Sequence, residues 1–278
     1  MKKANHLIQK KAEVINPLTT IVMPSFNAEE LLPRAIVSAL TQETDYPYEV
    51  IIVDDGSHRP IKSSLEESLL DDPKISLVRQ SNKGISSAMN LGTKLSRGNY
   101  IVLLDSDDEI LPQAIQDITD EFVGNSNLGY VYTDGFWIGL LQGWNWENFC
   151  PEKLDKNSYV NPWVKRDFDY QLLLYEMYLG HARAYTKDVF ESVGGFDDRY
   201  SCKAEDWDFA LKVSEKKDIK RIPKKLHKYH LQSSGITSTS KSEEVFMVQQ
   251  KILLDVMYRR GLNLSDLPDN VVKKYKLK

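Results

Sequence analysis

Three of the four residues from 105 to 108, in Leu104-Asp105-Ser106-Asp107-Asp108, are carboxylates, and they follow directly on the apolar run Tyr100-Ile101-Val102-Leu103. A buried strand cannot hold such charges without a large desolvation cost, so the acids belong at its mouth. Residues i and i+2 of an extended end point to the same side, which makes Asp105 and Asp107 converge. Two like charges at one point call for a cation, and oxygen ligands suit a hard divalent ion, Mg²⁺ or Mn²⁺. A solvated acidic turn that caps the next helix accounts for the same letters. Two more apolar runs end in polar stretches. Thr19 to Met23 ends at Pro24-Ser25-Phe26-Asn27, and Tyr48 to Val53 ends at Asp54-Asp55-Gly56-Ser57.

The elements that must position these groups alternate. After the first run, Asn27 with Glu30 has the form of a capping box. Behind it, Leu31, Ala35 and Ala39 line up beside Leu32, Ile36 and Leu40, as on one face of a helix. Residues 61–70 read as a weaker helix, Ile75 to Val78 as a strand, Gly84 to Leu95 as a helix and Tyr100 to Leu104 as a strand. Strands alternating with helices through short connections predict an α/β fold with a mainly parallel central sheet and right-handed crossovers. Ligands of such sheets bind outside the carboxyl ends of the strands. All three polar stretches lie at those ends, which helix capping alone does not require.

Beyond Pro112 the alternation weakens. Pro112 to Val123 reads as a helix and Tyr130 to Thr133 as a strand. Residues 134–170 hold Trp137, Trp144, Trp146 and Trp163 among Gly, Asn and Pro, and are expected to be irregular. Such a stretch is either a wall of a binding cleft or an excursion packed by its own aromatics. Glu205 to Glu215 and Glu243 to Arg260 read as helices, the second opening on Ser240 with Glu243 and ending at Gly261. The division expected is an extension (1–17), a first lobe (18–108), a second lobe (109–235) and a helical tail (236–278).

Composition narrows the classes. The 278 residues are 41% apolar and 27% charged, as in ordinary soluble domains. A net charge of −4 argues against nucleic acid as the main partner. Two cysteines make no disulfide framework and fit a reducing cytosol. No stretch reaches the roughly 18 apolar residues of a membrane span. The Lys-bearing N-terminus lacks the apolar core of a secretory signal. It is expected to be a solvated, partly frayed end, with a weakly basic helix on an anionic membrane as the alternative.

Taken in order, these motifs resemble the family 2 glycosyltransferases, inverting enzymes of the GT-A fold. The matching residues are Val22-Met23-Pro24-Ser25-Phe26-Asn27, Val53-Asp54-Asp55-Gly56-Ser57, Asn82-Lys83-Gly84, Asn90-Leu91-Gly92, Leu104-Asp105-Ser106-Asp107-Asp108 (like the DxD motif), Gly194-Gly195-Phe196-Asp197 and Glu205-Asp206. The resemblance covers residues 18–235. It implies a nucleotide-sugar donor, with UDP gripped by Asp55 or Asp54 and lined by Pro24, Ser25, Asn27, Asn82, Gly84, Asp105 and Ser106. It implies a divalent metal, Mn²⁺ or Mg²⁺, on Asp107 with His230, and Asp206 as general base beside Glu205. Gly195, Phe196, Asp197, Trp207 and His181 fall on the sugar and acceptor side. For Glu205 a helix-capping role is the alternative, and for Trp207 burial. Many members carry Arg just before the Asn of the third helix, where this chain has Met89. The acceptor implied is a saccharide or glycoconjugate, and the place of action the cytoplasm, at a membrane surface if the acceptor requires it. A nucleotidyltransferase would carry a Gly-rich basic signature after the first strand, and an aspartyl-nucleophile phosphatase its DxD on that strand. A non-catalytic sugar-binding relative would have lost the acids.

Overall fold

The computed structural model describes residues 6–139, 152–153, 159–163, 165–200, 204–231 and 242–277. Its first half is the predicted alternation. β1 (His6–Lys10) is followed by β2 (Thr19–Ser25), α1 (Leu32–Leu40), β3 (Tyr48–Asp54), the one-turn helices α2 (Ile61–Ser64) and α3 (Glu67–Leu70), β4 (Ile75–Gln80), α4 (Ile85–Leu95) and β5 (Tyr100–Leu103). β4, β3, β2 and β5 lie side by side and parallel. Every residue of β2 and β3 is buried, as expected of strands covered on both faces. Successive side chains therefore enter opposite cores: Val22 packs with Tyr185, Trp207 and Phe209, while Ile21 and Met23 pack with Leu32 and Ile36. α4 lies close on β2 because Gly92 leaves room, since a Cβ there would stand 2.4 Å from Val22 Cγ1.

Two expectations fail locally. Asn27 does not cap α1, which opens at Leu31 without a side-chain cap. Asn27 instead sits at φ 50° and ties two loops, its backbone N–H donating to Ser57 Oγ (3.0 Å) and its side-chain Oδ1 accepting from His58 N (2.8 Å). The expected frayed N-terminus contributes β1, an edge strand antiparallel to β4. Backbone pairing there outweighs the weak local signal.

The second half extends the same sheet. β6 (Glu109–Ile110), α5 (Ala114–Gly124), β7 (Leu128–Gly139), β8 (Glu152–Lys153), β9 (Tyr159–Trp163), α6 (Tyr170–Tyr175), β10 (Ala184–Thr186), α7 (Lys187–Val193), α8 (Glu205–Ser214) and β11 (Asp218–His230) precede the tail helices α9 (Ser242–Arg260) and α10 (Asp269–Tyr275). Among the described residues the strand order is β1-β4-β3-β2-β5-β10-β7-β11-β6. Residues 134–170 are therefore not wholly irregular: β7 runs on to Gly139 and β9 pairs antiparallel with it. Trp144, Trp146 and Ser240 lie outside the described residues. β11 escapes the sequence reading because DIKRIPKKLHKYH is rich in charge, six of its thirteen residues, and shows no strand alternation. It pairs with β7 on one side and β6 on the other. No helix among the described residues is long and apolar enough to cross a membrane.

Candidate active site

The mouth of β5 carries the carboxylate cluster. Asp105 and Asp107 have raised carboxyl pKa values. For Asp105 burial is the main cause, opposed by Arg183. Asp107 is pushed up to about 7 by burial and by neighbouring Asp108 and Asp105. Asp108 is fully buried, and both its oxygens meet β11: Oδ2 lies 2.8 Å from His227 Nε2, and Oδ1 accepts from His230 N at 2.9 Å. The register of β11 on β6, with His227 opposite Ile110, produces this meeting. The ring of His181 stacks on that of His227 at 5.2 Å, and its Nδ1 stands 3.9 Å from Asp105 Oδ2. One ligand atom from each of Asp108, His181 and His227 lies within 4.8 Å of the others. His181 is held neutral by burial and by Arg183, and a neutral imidazole is the form that ligates a metal.

The metal pair expected from the sequence, Asp107 and His230, is not the group that converges. His230 turns to Glu109, with Nε2 2.7 Å from Oε1, and Lys228 Nζ stands 3.2 Å from the other oxygen of Glu109. Ser106 is half-buried in the turn between the acids.

On the β2–β3 side, Pro24 and Ser25 are buried at the strand end, and Ser25 Oγ is buried without a protein partner. Asp54 makes its contacts within its own turn and with β4. It is fully buried, ion-paired to Arg79, and accepts from Ser57 N at 2.8 Å. It is the strut of its own turn. Asp55 accepts from Gln80 Nε2 (2.7 Å), Lys83 N (2.9 Å) and Gly84 N (2.8 Å). It thereby shapes the Asn82–Gly84 loop, where Gly84 has φ +88°. Gly56 is required at its place, since a Cβ there would meet Asn82 N at 2.6 Å.

On the α8 side, Asp206 stands in the first turn, half-buried beside Glu205. Its Oδ1 accepts from Trp207 N (2.8 Å) and its Oδ2 from Arg183 Nη1 (2.6 Å). Trp207 offers no stacking face. It is fully buried and its Nε1 donates to Leu173 O at 2.6 Å. Phe196 is likewise core, its ring 4.2 Å from that of Phe209. Gly195 sits where it does to clear Asn90, whose side chain accepts from Phe196 N (2.9 Å) and donates to Phe196 O (2.8 Å). Asp197 is bound by Arg199, which lowers its pKa. The Gly-Gly-Phe-Asp motif thus braces α4 against the second half of the chain.

Two residues of the site went unsuspected in the sequence. Arg183 stands just before a short strand, in His181-Ala182-Arg183-Ala184-Tyr185, with no spacing to link it to either acid it meets. His227 lies in a charged run that carries no motif.

With this geometry in view, comparison with known proteins is decisive. The sequence model described as glycosyl transferase family 2 matches residues 20–194. The chain belongs to that family. It is 34% identical over 213 residues to a chondroitin synthase of Escherichia coli, an alignment covering 75% of this chain and 28% of that protein. A hyaluronan synthase of Pasteurella multocida is 30% identical over 213 residues, covering 75% and 20%. The chain thus spans about a quarter of the length of these relatives. Among solved structures, S. aureus TarS 1–349 in complex with UDP-GlcNAc superposes with a TM-score of 0.66 at 17% identity, covering 86% of this chain and 66% of that one. The mannosyltransferase PcManGT from Pyrobaculum calidifontis, in complex with GDP-Man and Mn²⁺, superposes at 0.58 with 17% identity, covering 96% and 72%. These likenesses give this family 2 glycosyltransferase the GT-A fold.

Proposed function

We propose that the enzyme moves a sugar from a UDP-sugar to a hydroxyl group of a saccharide or glycoconjugate acceptor, with inversion, by one in-line displacement. The observation that carries this reading is that one side chain, Arg183, spans two chemically distinct groups. The carboxylates and imidazoles at the mouth of β5 stand at one end, and Asp206 in the first turn of α8 at the other, with Arg183 between them. Asp55 suits the nucleobase end. A carboxylate offers about four lone-pair sites, and the three hydrogen bonds it accepts leave room for the N–H of a uracil edge. Asp105 stands nearest the ribose in this arrangement.

A divalent cation fits the donor set of one carboxylate and two imidazoles. The raised pKa values of Asp105 and Asp107 point the same way, because a cation would relieve the crowding of negative charge. Asp108, His181 and His227 would hold the ion, with Asp107 adjoining. When bound, it supplies positive charge to offset that developing on the leaving diphosphate. Asp206 takes the proton of the attacking hydroxyl as the new bond forms. The UDP-GlcNAc bound by TarS and the Mn²⁺ bound by PcManGT support the choice of donor and ion.

The test is UDP release from a panel of UDP-sugars with saccharide acceptors in Mn²⁺, with and without excess EDTA. Release that EDTA abolishes is expected. Turnover of another nucleotide's sugars alone would replace UDP as the donor. Full turnover in EDTA would remove the metal.

A further inference from the structure

Arg183 stands between Asp105 at the mouth of β5 and Asp206 on α8. Its side chain is 12% exposed, and such a charge is buried at tolerable cost only when it is paired. Nη1 donates to Asp206 Oδ2 at 2.6 Å, and Nη2 stands 3.7 Å from Asp105 Oδ2. The backbone of Arg183 is fixed as well. Its carbonyl accepts from Leu103 N at 2.9 Å, so the pairing of β10 with β5 continues to the last residue of β5, two positions before Asp105. Arg183 and Asp206 line a small cavity together with Met89, Leu103, Tyr130, Phe196 and Phe209, and the Tyr130 hydroxyl is buried without a protein partner. The Asp206 carboxylate is thus held at both oxygens, one by Trp207 N and one by Arg183.

We propose that Arg183 is a positioning residue that fixes the Asp206 carboxylate for proton acceptance and ties it to Asp105 at the donor end. The proposal rests on the reading of Asp206 as the base. The planar fork of arginine is what allows one side chain to address both carboxylates. A lysine presents a single charged point and can hold only one of them. A plain structural ion pair would stabilise the fold without acting on turnover through Asp206.

The experiment is a double-mutant cycle on kcat, with donor affinity measured by calorimetry and folding by melting temperature. Arg183→Gln is expected to lower kcat by about 10²-fold, the scale of a misplaced catalytic group. Asp206→Asn is expected to be slow by itself, and adding Arg183→Gln to it should cause no further loss. Arg183→Lys should recover part of kcat while the donor KM stays raised. Additive losses in the double variant, or native kcat in folded Arg183→Gln, would overturn the proposal. Should Arg183→Gln not fold, Arg183→Lys takes its place in the cycle, and an unchanged donor KM with additive losses overturns it equally. Native kcat in Asp206→Asn removes the base and this proposal with it. That outcome is distinct from failure of Arg183 alone, in which Asp206→Asn is slow and Arg183→Gln is not.

Discussion

At the scale of single residues, burial and charge crowding at the mouth of β5 are expected to set the pH response and, under the proposed function, the response to metal. Asp107 has its carboxyl raised from 3.8 to about 7 by burial first, then by Asp108 and Asp105. The folded chain therefore holds this proton more tightly than the unfolded chain does. Stability from that proton is fully present below about pH 4 and is lost as pH rises through about 7. In EDTA the melting temperature should fall between pH 5 and 8, Mn²⁺ at pH 8 should restore it, and Asp107→Asn should flatten the profile. A wild-type profile no steeper than that of the variant would mean that Asp107 is ordinary in solution. On α8, general-base catalysis typically contributes about 10²–10⁴-fold, and Asp206→Asn should lose about that in kcat while keeping its affinity for the donor. Glu205→Gln should be milder. A larger loss in Glu205→Gln would transfer the role to Glu205. Asp197 is paired with Arg199 and has no part in the contacts by which Arg183 ties Asp206 to Asp105.

At the scale of elements, α8 is placed by what packs behind it. α9 buries Ile252, Leu253 and Val256 against the core that contains Trp207, and the ring of Tyr275 of α10 lies tilted to the same indole, 5.7 Å between centroids. Leu253 is fully buried, so Leu253→Ala should cost about 2–5 kcal/mol in urea unfolding, with kcat of the folded protein near native. Truncation after Ser240 should cost solubility first. A truncated protein with a native melting temperature and no turnover would instead place the helix in the acceptor site.

At the scale of the whole molecule, the expected boundary near residue 109 does not interrupt the sheet. β5 pairs with β2 on one side and β10 on the other. Residues 18–108 expressed alone would expose the β5 edge and the apolar faces that α8 and α9 cover. That fragment is expected to show no cooperative unfolding transition by circular dichroism, whereas the full chain should show one. A cooperative transition in the fragment would make the two halves separate folding units.

The sequence by itself determined the parallel half of the sheet, because buried strands and amphipathic helices are written in hydrophobic period, and it placed three polar stretches at the carboxyl ends of strands. It also carried the family, through motifs in a fixed order. The partners of those motifs were decided only by tertiary structure. Asp54 and Asp55 have the same local signal, yet Arg79 claims the first as a strut while the second holds the Asn82–Gly84 loop. His227 rather than His230 joins Asp108 because the register of β11 on β6 sets which imidazole arrives, and a charged strand carries no periodic trace of that register. Arg183 meets Asp105 and Asp206 across 78 and 23 positions of chain. Local spacing does not encode contacts at such separations. They arise when strands that are distant in sequence are paired side by side in one sheet.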